Sequence, residues 1–170
     1  MQIKKEKLKT YVTNNIDKIY RLAFSYAKNQ VDAEDIVNES IKRALYSINS
    51  LKKDYYMGTW LYRIVVNTAN TYLKSKSKII YIDDIAEETL VTEDNYKDTD
   101  VYNQVMKLDI KYREVIVLKY YEDMTFEQIA DILNENISTI KTRLYTALDK
   151  LKIALNKEGD FDERFKLWKS

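Results

Sequence analysis

Residues 124–151 read MTFEQIADILNENISTIKTRLYTALDKL and have the outline of two short helices joined by a turn. Thr125 and Gln128 form a T-x-x-Q capping box, which predicts a helix start. Asn134 is predicted to lie in the turn. Such turns usually place glycine in the left-handed backbone conformation, and asparagine tolerates that conformation too. Ser138 is predicted to cap the second helix. The pattern indicates a helix-turn-helix whose second helix enters a DNA groove.

The second helix of this motif has one apolar and one polar face. Its apolar positions are predicted to pack inward and are Ile137, Ile140, Leu144, Ala147, Leu148 and Leu151. Between residues 138 and 152 there are four basic residues and one acidic residue, so the helix is locally basic. The polar face therefore predicts a DNA-contacting set, Ser138, Thr139, Lys141, Thr142, Arg143, Tyr145 and Thr146.

The composition predicts an all-α protein. The 170 residues include no proline and two glycines, and these are the two residue types that break helices. The absence of cysteine excludes disulfides and thiolate metal sites, and the absence of histidine removes the usual metal ligand and general base. No metal, cofactor or enzymatic activity is expected. The charged N-terminus and the lack of a long apolar run predict a cytoplasmic protein.

The formal net charge of +1 conceals an uneven distribution. Residues 1–75 carry a net charge of +6, residues 76–103 carry −5, and residues 104–170 carry 0. The acidic stretch within residues 77–100 lacks a helical period, which predicts a linker with a short ordered piece near residues 79–85. It is either a solvated loop or a polyanion that occupies a nucleic-acid path on a partner.

The N-terminal block has two helical patterns before residue 50. Residues 16–27 place apolar side chains on one face, and the stretch VDAEDIVNESIKRALYSI (31–48) does the same with a start capped by Asp32. The apolar face of this second pattern comprises Ile36, Val37, Ser40, Ile41, Ala44 and Leu45. The exposed face carries Asp32, Asp35, Asn38, Glu39 and Lys42, which is also what an ordinary solvated helix surface would show.

A third helix is predicted to begin near Thr59, in TWLYRIVVNTANTYLKSKSK (59–78). Aromatic residues crowd its start, and arginine, asparagine and lysine follow at intervals. Unstacked bases lie on aromatic rings while basic side chains track phosphates. Aromatic residues also serve hydrophobic cores, so the pattern leaves both core packing and base stacking open.

These motifs together resemble bacterial RNA polymerase sigma factors of the extracytoplasmic-function (ECF) group. AEDIVNESIKRAL resembles the family's region 2.2, and TWLYRIVVNTANTYLKSK resembles its region 2.3–2.4 helix. YREVIVLKYYEDMTFEQIADILNENISTIKTRLYTAL resembles region 4. The resemblance covers roughly residues 10–155, with the motifs in the family's order.

The resemblance implies two small helical domains. The region 2 domain would span residues 1–76 and the acidic linker residues 77–103. The region 4 helix-turn-helix domain would span residues 104–156, followed by a tail at 157–170 that could form a short helix.

The resemblance also implies three contact sets. Core polymerase would be bound through its β′ clamp helices and its β flap, with the clamp contacts at Asp32, Asp35, Asn38 and Glu39. The −10 element would be held as single strand by Tyr55, Tyr56, Trp60, Arg63, Asn67, Asn70, Lys74 and Lys76, with Asn67 at a flipped base. The helix from Ser138 to Thr146 would read the −35 duplex. A cognate, membrane-associated anti-sigma factor is an implied partner.

Several positions depart from the family pattern. Asn38 replaces the usual glutamine, Asn134 replaces the turn glycine, and Thr146 and Leu148 stand where arginine is frequent. The −35 contact set is therefore less basic than usual. The alternative from another class is a stand-alone helix-turn-helix regulator with an N-terminal dimerisation or ligand domain.

Overall fold

The computed structural model describes residues 1–80 and 99–156. Within these two ranges the chain is helical, contains no β-strand, and divides into two compact units, which confirms the expected all-α fold. No helix within the described part is long and apolar enough to cross a membrane. The α-helices are α1 (Gln2–Ala27), α2 (Gln30–Ser47), α3 (Met57–Ile80), α4 (Thr99–Lys107), α5 (Ile110–Ile116), α6 (Phe126–Leu133) and α7 (Ile137–Asn156).

The first unit is a bundle in which α1, α2 and α3 each pack against the other two. Helical spacing brings the apolar side chains of each helix to one face, and burying each large side chain contributes about 1.5–3 kcal/mol. The central residues of this core are Ile19, Leu22, Ile36, Leu61 and Val65.

Helix α1 is longer than the sequence pattern indicated and consists of two parts. Asn15 leaves helical geometry (φ −123°, ψ 16°), and its side-chain amide donates to the Tyr11 carbonyl at 2.8 Å. We call residues 2–14 the N-terminal arm. Leu8 of the arm is fully buried, so the arm belongs to the folded unit.

The N-cap of helix α2 lies three residues before the predicted cap, Asp32. Asn29 is the N-cap, and its side-chain oxygen accepts from the Asp32 backbone N–H at 2.9 Å. The prediction that Asp32 caps the helix was therefore wrong. Leu45 is 41% exposed because it lies about 100° around the helix from buried Ala44, outside the apolar arc.

In the second unit, α7 packs against α4 and α5. Between α5 and α6 the chain forms a π-helical segment, Val117–Tyr121, in which the Glu122 N–H donates to the Val117 carbonyl. The segment keeps Val117 and Leu118 buried. The largest buried side chains of this core include Ile116, Leu118, Ile129 and Ile140.

The helix-turn-helix forms largely as its local sequence predicts. The Thr125 N–H donates to Gln128 Oε1 at 2.9 Å and the Gln128 N–H donates to Thr125 Oγ1 at 3.2 Å, which confirms the capping box. Asn134 has a φ of 54°, in the left-handed region. Helix α7 begins at Ile137, so Ser138 lies in its first turn and is not the cap.

The ends of the predicted linker differ from the helix boundaries. Helix α3 continues to Ile80 and α4 begins at Thr99, so residues 77–80 and 99–103 are helical. The acidic residues 81–98, with most of the predicted ordered piece near 79–85, and the tail 157–170 lie outside the described residues. The linker and tail helix stay predictions.

Candidate nucleic-acid interface

Helix α3 carries a polar stripe along one face. Arg63, Asn67, Asn70 and Lys74 are all exposed, and their spacing of four, three and four residues places them on one side of the helix. The intervening Val65, Val66 and Ala69 are buried and hold the opposite face against the bundle. We call these four polar residues the α3 stripe. Its amides donate and accept hydrogen bonds, and its two cations suit phosphates.

The aromatic residues beside the stripe divide between surface and core. Tyr55 is 88% exposed and Tyr56 is 53% exposed, with their rings edge to face at a centroid distance of 5.2 Å. Tyr62 is buried in the bundle, whereas Trp60 is half-buried with its indole N–H 3.3 Å from Ser50 Oγ. Tyr62 therefore serves the core, whereas base stacking by exposed Tyr55 and Tyr56 stays a prediction.

Tyr55 and Tyr56 belong to a segment that precedes α3 and has little regular structure. This segment, residues 48–56, contains two three-residue 3₁₀ turns, Ile48–Ser50 and Asp54–Tyr56. We call its residues 51–56 the reading loop. A cleft of about 600 Å³ lies between this loop and the N-terminal arm, with Tyr55 in its wall. Local sequence patterns did not predict this neighbour, because the contacting residues lie 47 positions apart.

The predicted polymerase-binding residues of α2 do not share one environment. Asp35 and Asn38 are exposed, and half-buried Glu39 accepts from the Arg43 guanidinium at 2.9 Å. Asp32 is buried. The surface available to a partner is therefore Asp35, Asn38 and Glu39.

Asp32 is at the centre of a hydrogen-bond network that joins the start of α2 to the last turns of α3. It accepts from the Tyr72 hydroxyl at 2.8 Å, from the Asn29 amide at 2.8 Å, and from the Lys76 ammonium. The Tyr72 hydroxyl is also 3.2 Å from Asp35. Burial and the Asp32 hydrogen bond raise the Tyr72 pKa above its ordinary value, so the hydroxyl stays a donor.

Acidification is expected to weaken the first unit through this network. Burial alone would raise the Asp32 pKa, but hydrogen bonds from Asn29, Lys76 and Tyr72 outweigh it and lower the pKa below 3.8. The carboxylate thus contributes stability that is present above the unfolded-state pKa and is lost as the pH falls through the folded-state pKa. Acid unfolding followed by circular dichroism should show a smaller loss of stability per pH unit below about pH 5 for Asp32→Asn than for wild type. An unchanged slope would contradict this role.

The second unit presents most of its predicted DNA-contacting residues at the start of α7. Ser138, Lys141, Thr142 and Tyr145 are exposed. The remaining three, Thr139, Arg143 and Thr146, are half-buried. The exposed four form the accessible face of the helix.

Two cations on α7 already have contacts within the unit. Arg143 Nη2 donates to Glu135 Oε1 at 2.9 Å, and its Nη1 is 3.8 Å from Glu114. The Lys141 ammonium lies 5.4 Å from the centre of the Phe126 ring, a cation–π distance. Arg143 thus braces the turn of the motif, and its charge is partly neutralised before any DNA is bound.

Within the described ranges, no group of three or more acidic side chains is arranged to hold a metal ion. The exposed groups of the α3 stripe, of Tyr55 and Tyr56, and of Ser138, Lys141, Thr142 and Tyr145 on α7 are amides, hydroxyls, aromatic rings and cations. Such groups bind bases and phosphates.

Both units match parts of one protein family. Residues 11–79 match Sigma-70 region 2, and residues 99–151 match Sigma-70 region 4. The RNA polymerase sigma factor SigV of Bacillus subtilis is 45% identical over 92% of this chain and 96% of its own length. The ECF RNA polymerase sigma factor SigW of the same organism is 32% identical over 80% of this chain and 82% of its own. The chain is an ECF sigma factor of the sigma-70 family.

Solved sigma-factor structures share its fold. The sigma factor RpoE of Bartonella quintana, solved with the anti-sigma factor NepR, superposes with a TM-score of 0.77 at 21% identity, covering 87% of this chain and 96% of its own. CnrH, solved with the cytosolic domain of CnrY, gives a TM-score of 0.66 at 20% identity, with 89% of each chain covered. As a sigma factor, the chain functions in promoter-specific transcription initiation, and sigma factors are regulatory proteins, not typical enzymes.

Proposed function

We propose that this sigma factor binds core RNA polymerase, recognises a −35 element as duplex and a −10 element as single strand, and promotes melting of the promoter. The proposal is supported above all by the α3 stripe beside exposed Tyr55 and Tyr56, which combines base-stacking rings with amides and cations. A regulator that binds duplex operators alone has no need of exposed rings remote from its reading helix.

Melting would be driven by trapping bases outside the stack. Unstacking and unpairing a base costs a few kcal/mol, and stacking on an aromatic side chain returns about 1–3 kcal/mol per base. Tyr55, Tyr56 and half-buried Trp60 offer rings, and Asn67 and Asn70 offer amides for base edges. Arg63 and Lys74 would track phosphates. Lys76 is bound to Asp32, so we assign the backbone contact to Lys74 first.

Polymerase docking would use both units. We propose that exposed Asp35 and Asn38, with Glu39, contact the β′ clamp helices, and that the second unit contacts the β flap. Buried Asp32 would act indirectly, because it holds Tyr72 against Asp35. Binding through two units lets polymerase supply much of the affinity, so a net charge of +1 is compatible with promoter recognition.

The −35 duplex would be read by the start of α7. Ser138, Lys141, Thr142 and Tyr145 are exposed and suited to base edges and phosphates in the major groove. The less accessible residues are Thr139, Arg143 and Thr146. To contact DNA, Arg143 would have to give up its bond to the Glu135 carboxylate; otherwise it acts by bracing the turn.

We also propose a cytoplasmic location and a cognate, membrane-associated anti-sigma factor, since free sigma activity must be controlled. The two structural relatives were solved with an anti-sigma factor or with a cytosolic domain of another protein. No cofactor or catalytic residue is assigned.

The function is tested by mixing the purified chain with core polymerase and promoter DNA and probing for unpaired bases with permanganate. Strand opening and a transcript are expected when both components are present, and neither with the chain or core polymerase alone. Tight binding of a defined duplex by the chain alone, with no transcript from the reconstituted enzyme, would instead support a stand-alone regulator.

A further inference from the structure

The N-terminal arm contacts the reading loop through several groups at its beginning and middle. The Lys4 ammonium donates to the Leu51 carbonyl at 2.8 Å in a partly buried position. The Lys7 ammonium forms an ion pair with Asp54, and the hydrogen bond from Lys7 lowers the Asp54 pKa. Each of these contacts joins residues 47 positions apart.

The reading loop depends on such outside contacts because it has few of its own. Its 3₁₀ turn, Asp54–Tyr56, is three residues long, and 3₁₀ turns have weaker hydrogen-bond geometry than α-helices. The Leu51 carbonyl is satisfied by the arm, and the Leu51 side chain is buried in the unit. The arm therefore holds two residues, Leu51 and Asp54, of the loop that carries Tyr55 and Tyr56.

A close approach at the start of α3 fixes the arm against the same region. A Cβ added to Gly58 would lie 2.5 Å from the Tyr11 hydroxyl oxygen and 3.3 Å from its Cζ. Any side chain at position 58 therefore displaces the Tyr11 ring. Both residues line the cleft beside Tyr55.

We propose that the N-terminal arm is a positioning element for promoter recognition, in which Lys4 and Tyr11 set where Tyr55 and Tyr56 meet the unpaired −10 bases. The arm thereby determines base preference without touching DNA itself. This inference rests on the proposed −10 function. It gives a specificity role to residues outside the three predicted contact sets.

Two variants separate positioning from folding. Lys4→Met removes the bond to Leu51 while keeping most of the side-chain length, and Gly58→Ala displaces Tyr11. Alanine is otherwise more favourable than glycine in a helix, so Gly58→Ala should retain the melting temperature. Lys9→Met is the matched control, because it removes the same charge from an exposed position on the arm. Tyr11→Phe combined with Gly58→Ala removes the clashing hydroxyl and is expected to restore function.

The measurement is open-complex formation by the reconstituted polymerase on a panel of promoters with single −10 substitutions, together with core-polymerase affinity and the melting temperature. Lys4→Met and Gly58→Ala should lower opening of the preferred promoter about tenfold and flatten the differences across the panel, with polymerase affinity unchanged. Lys9→Met should match wild type.

The proposal is overturned if Lys4→Met and Lys9→Met behave alike, or if Tyr11→Phe fails to rescue Gly58→Ala. It is also overturned by an equal loss on every promoter that tracks a lower melting temperature. In each of these cases wild type still opens promoters, so the proposed function stands. Failure of wild-type enzyme to open any promoter would instead reject the proposed function.

Discussion

Asn67→Ala is expected to reduce promoter opening roughly ten- to hundredfold while leaving the affinity for core polymerase unchanged. Asn67 is exposed in the middle of the α3 stripe, about three helical turns after the exposed tyrosines. An amide that pairs with a base edge contributes about 1–3 kcal/mol, which corresponds to that range. In the proposed role, the contact forms only after the base has left the stack. Its loss should therefore affect opening and spare the earlier docking step.

The measurement is permanganate reactivity of −10 thymines beside a binding titration with core polymerase. Asn103→Ala is a matched control, since Asn103 is also an exposed helical asparagine but lies on α4. A bubble template with an unpaired −10 region should recover part of the defect, because the unpairing cost is then already met. Equal losses of opening and polymerase binding would argue against a flipped-base role.

Ile140→Ala is expected to lower the free energy of unfolding of the second unit by about 2–5 kcal/mol, the usual cost of such a truncation in a core. Ile140 is fully buried one turn into α7, where it anchors the proposed reading helix. The loss should increase amide hydrogen exchange in α5 and α7. Transcription from promoters that need the −35 element should fall as the second unit loses stability.

Ile137→Ala is the control, because it makes the same change one turn earlier at a position that is 39% exposed. Ile137→Ala should lower the free energy of unfolding much less than Ile140→Ala does, since less apolar surface is lost and no closed cavity forms. Hydrogen exchange resolved by helix distinguishes the two units, so exchange in α1–α3 should stay at wild-type levels. Equal destabilisation by the two variants would contradict the assigned core.

Local rules account for what could be predicted from the sequence. The capping box of Thr125 and Gln128 and the left-handed turn at Asn134 depend on neighbours within a few residues, and both form. The stripe from Arg63 to Lys74 follows from helical periodicity and is exposed on one face. The family prediction came from motif order, and the matches to regions 2 and 4 confirm the family.

Long-range contacts account for what could not be predicted. Asp32 was placed on an exposed face, yet it is buried because Tyr72 and Lys76, 40 and 44 positions later, close over it. The contact of Lys4 with Leu51 has no local signature. Leu45 and Ile137 show a second limit, since an apolar residue at the edge of a helical arc need not enter the core.

The pairing of Lys76 with Asp32 has a consequence for counterion release. A lysine whose charge is already balanced by a buried carboxylate attracts fewer anions from solution and does not displace a condensed cation from a DNA strand. Each single-strand phosphate contact contributes about 0.7 to the slope of log affinity against log salt. While this pair persists, the salt dependence of the proposed −10 binding should reflect fewer cations than α3 contains.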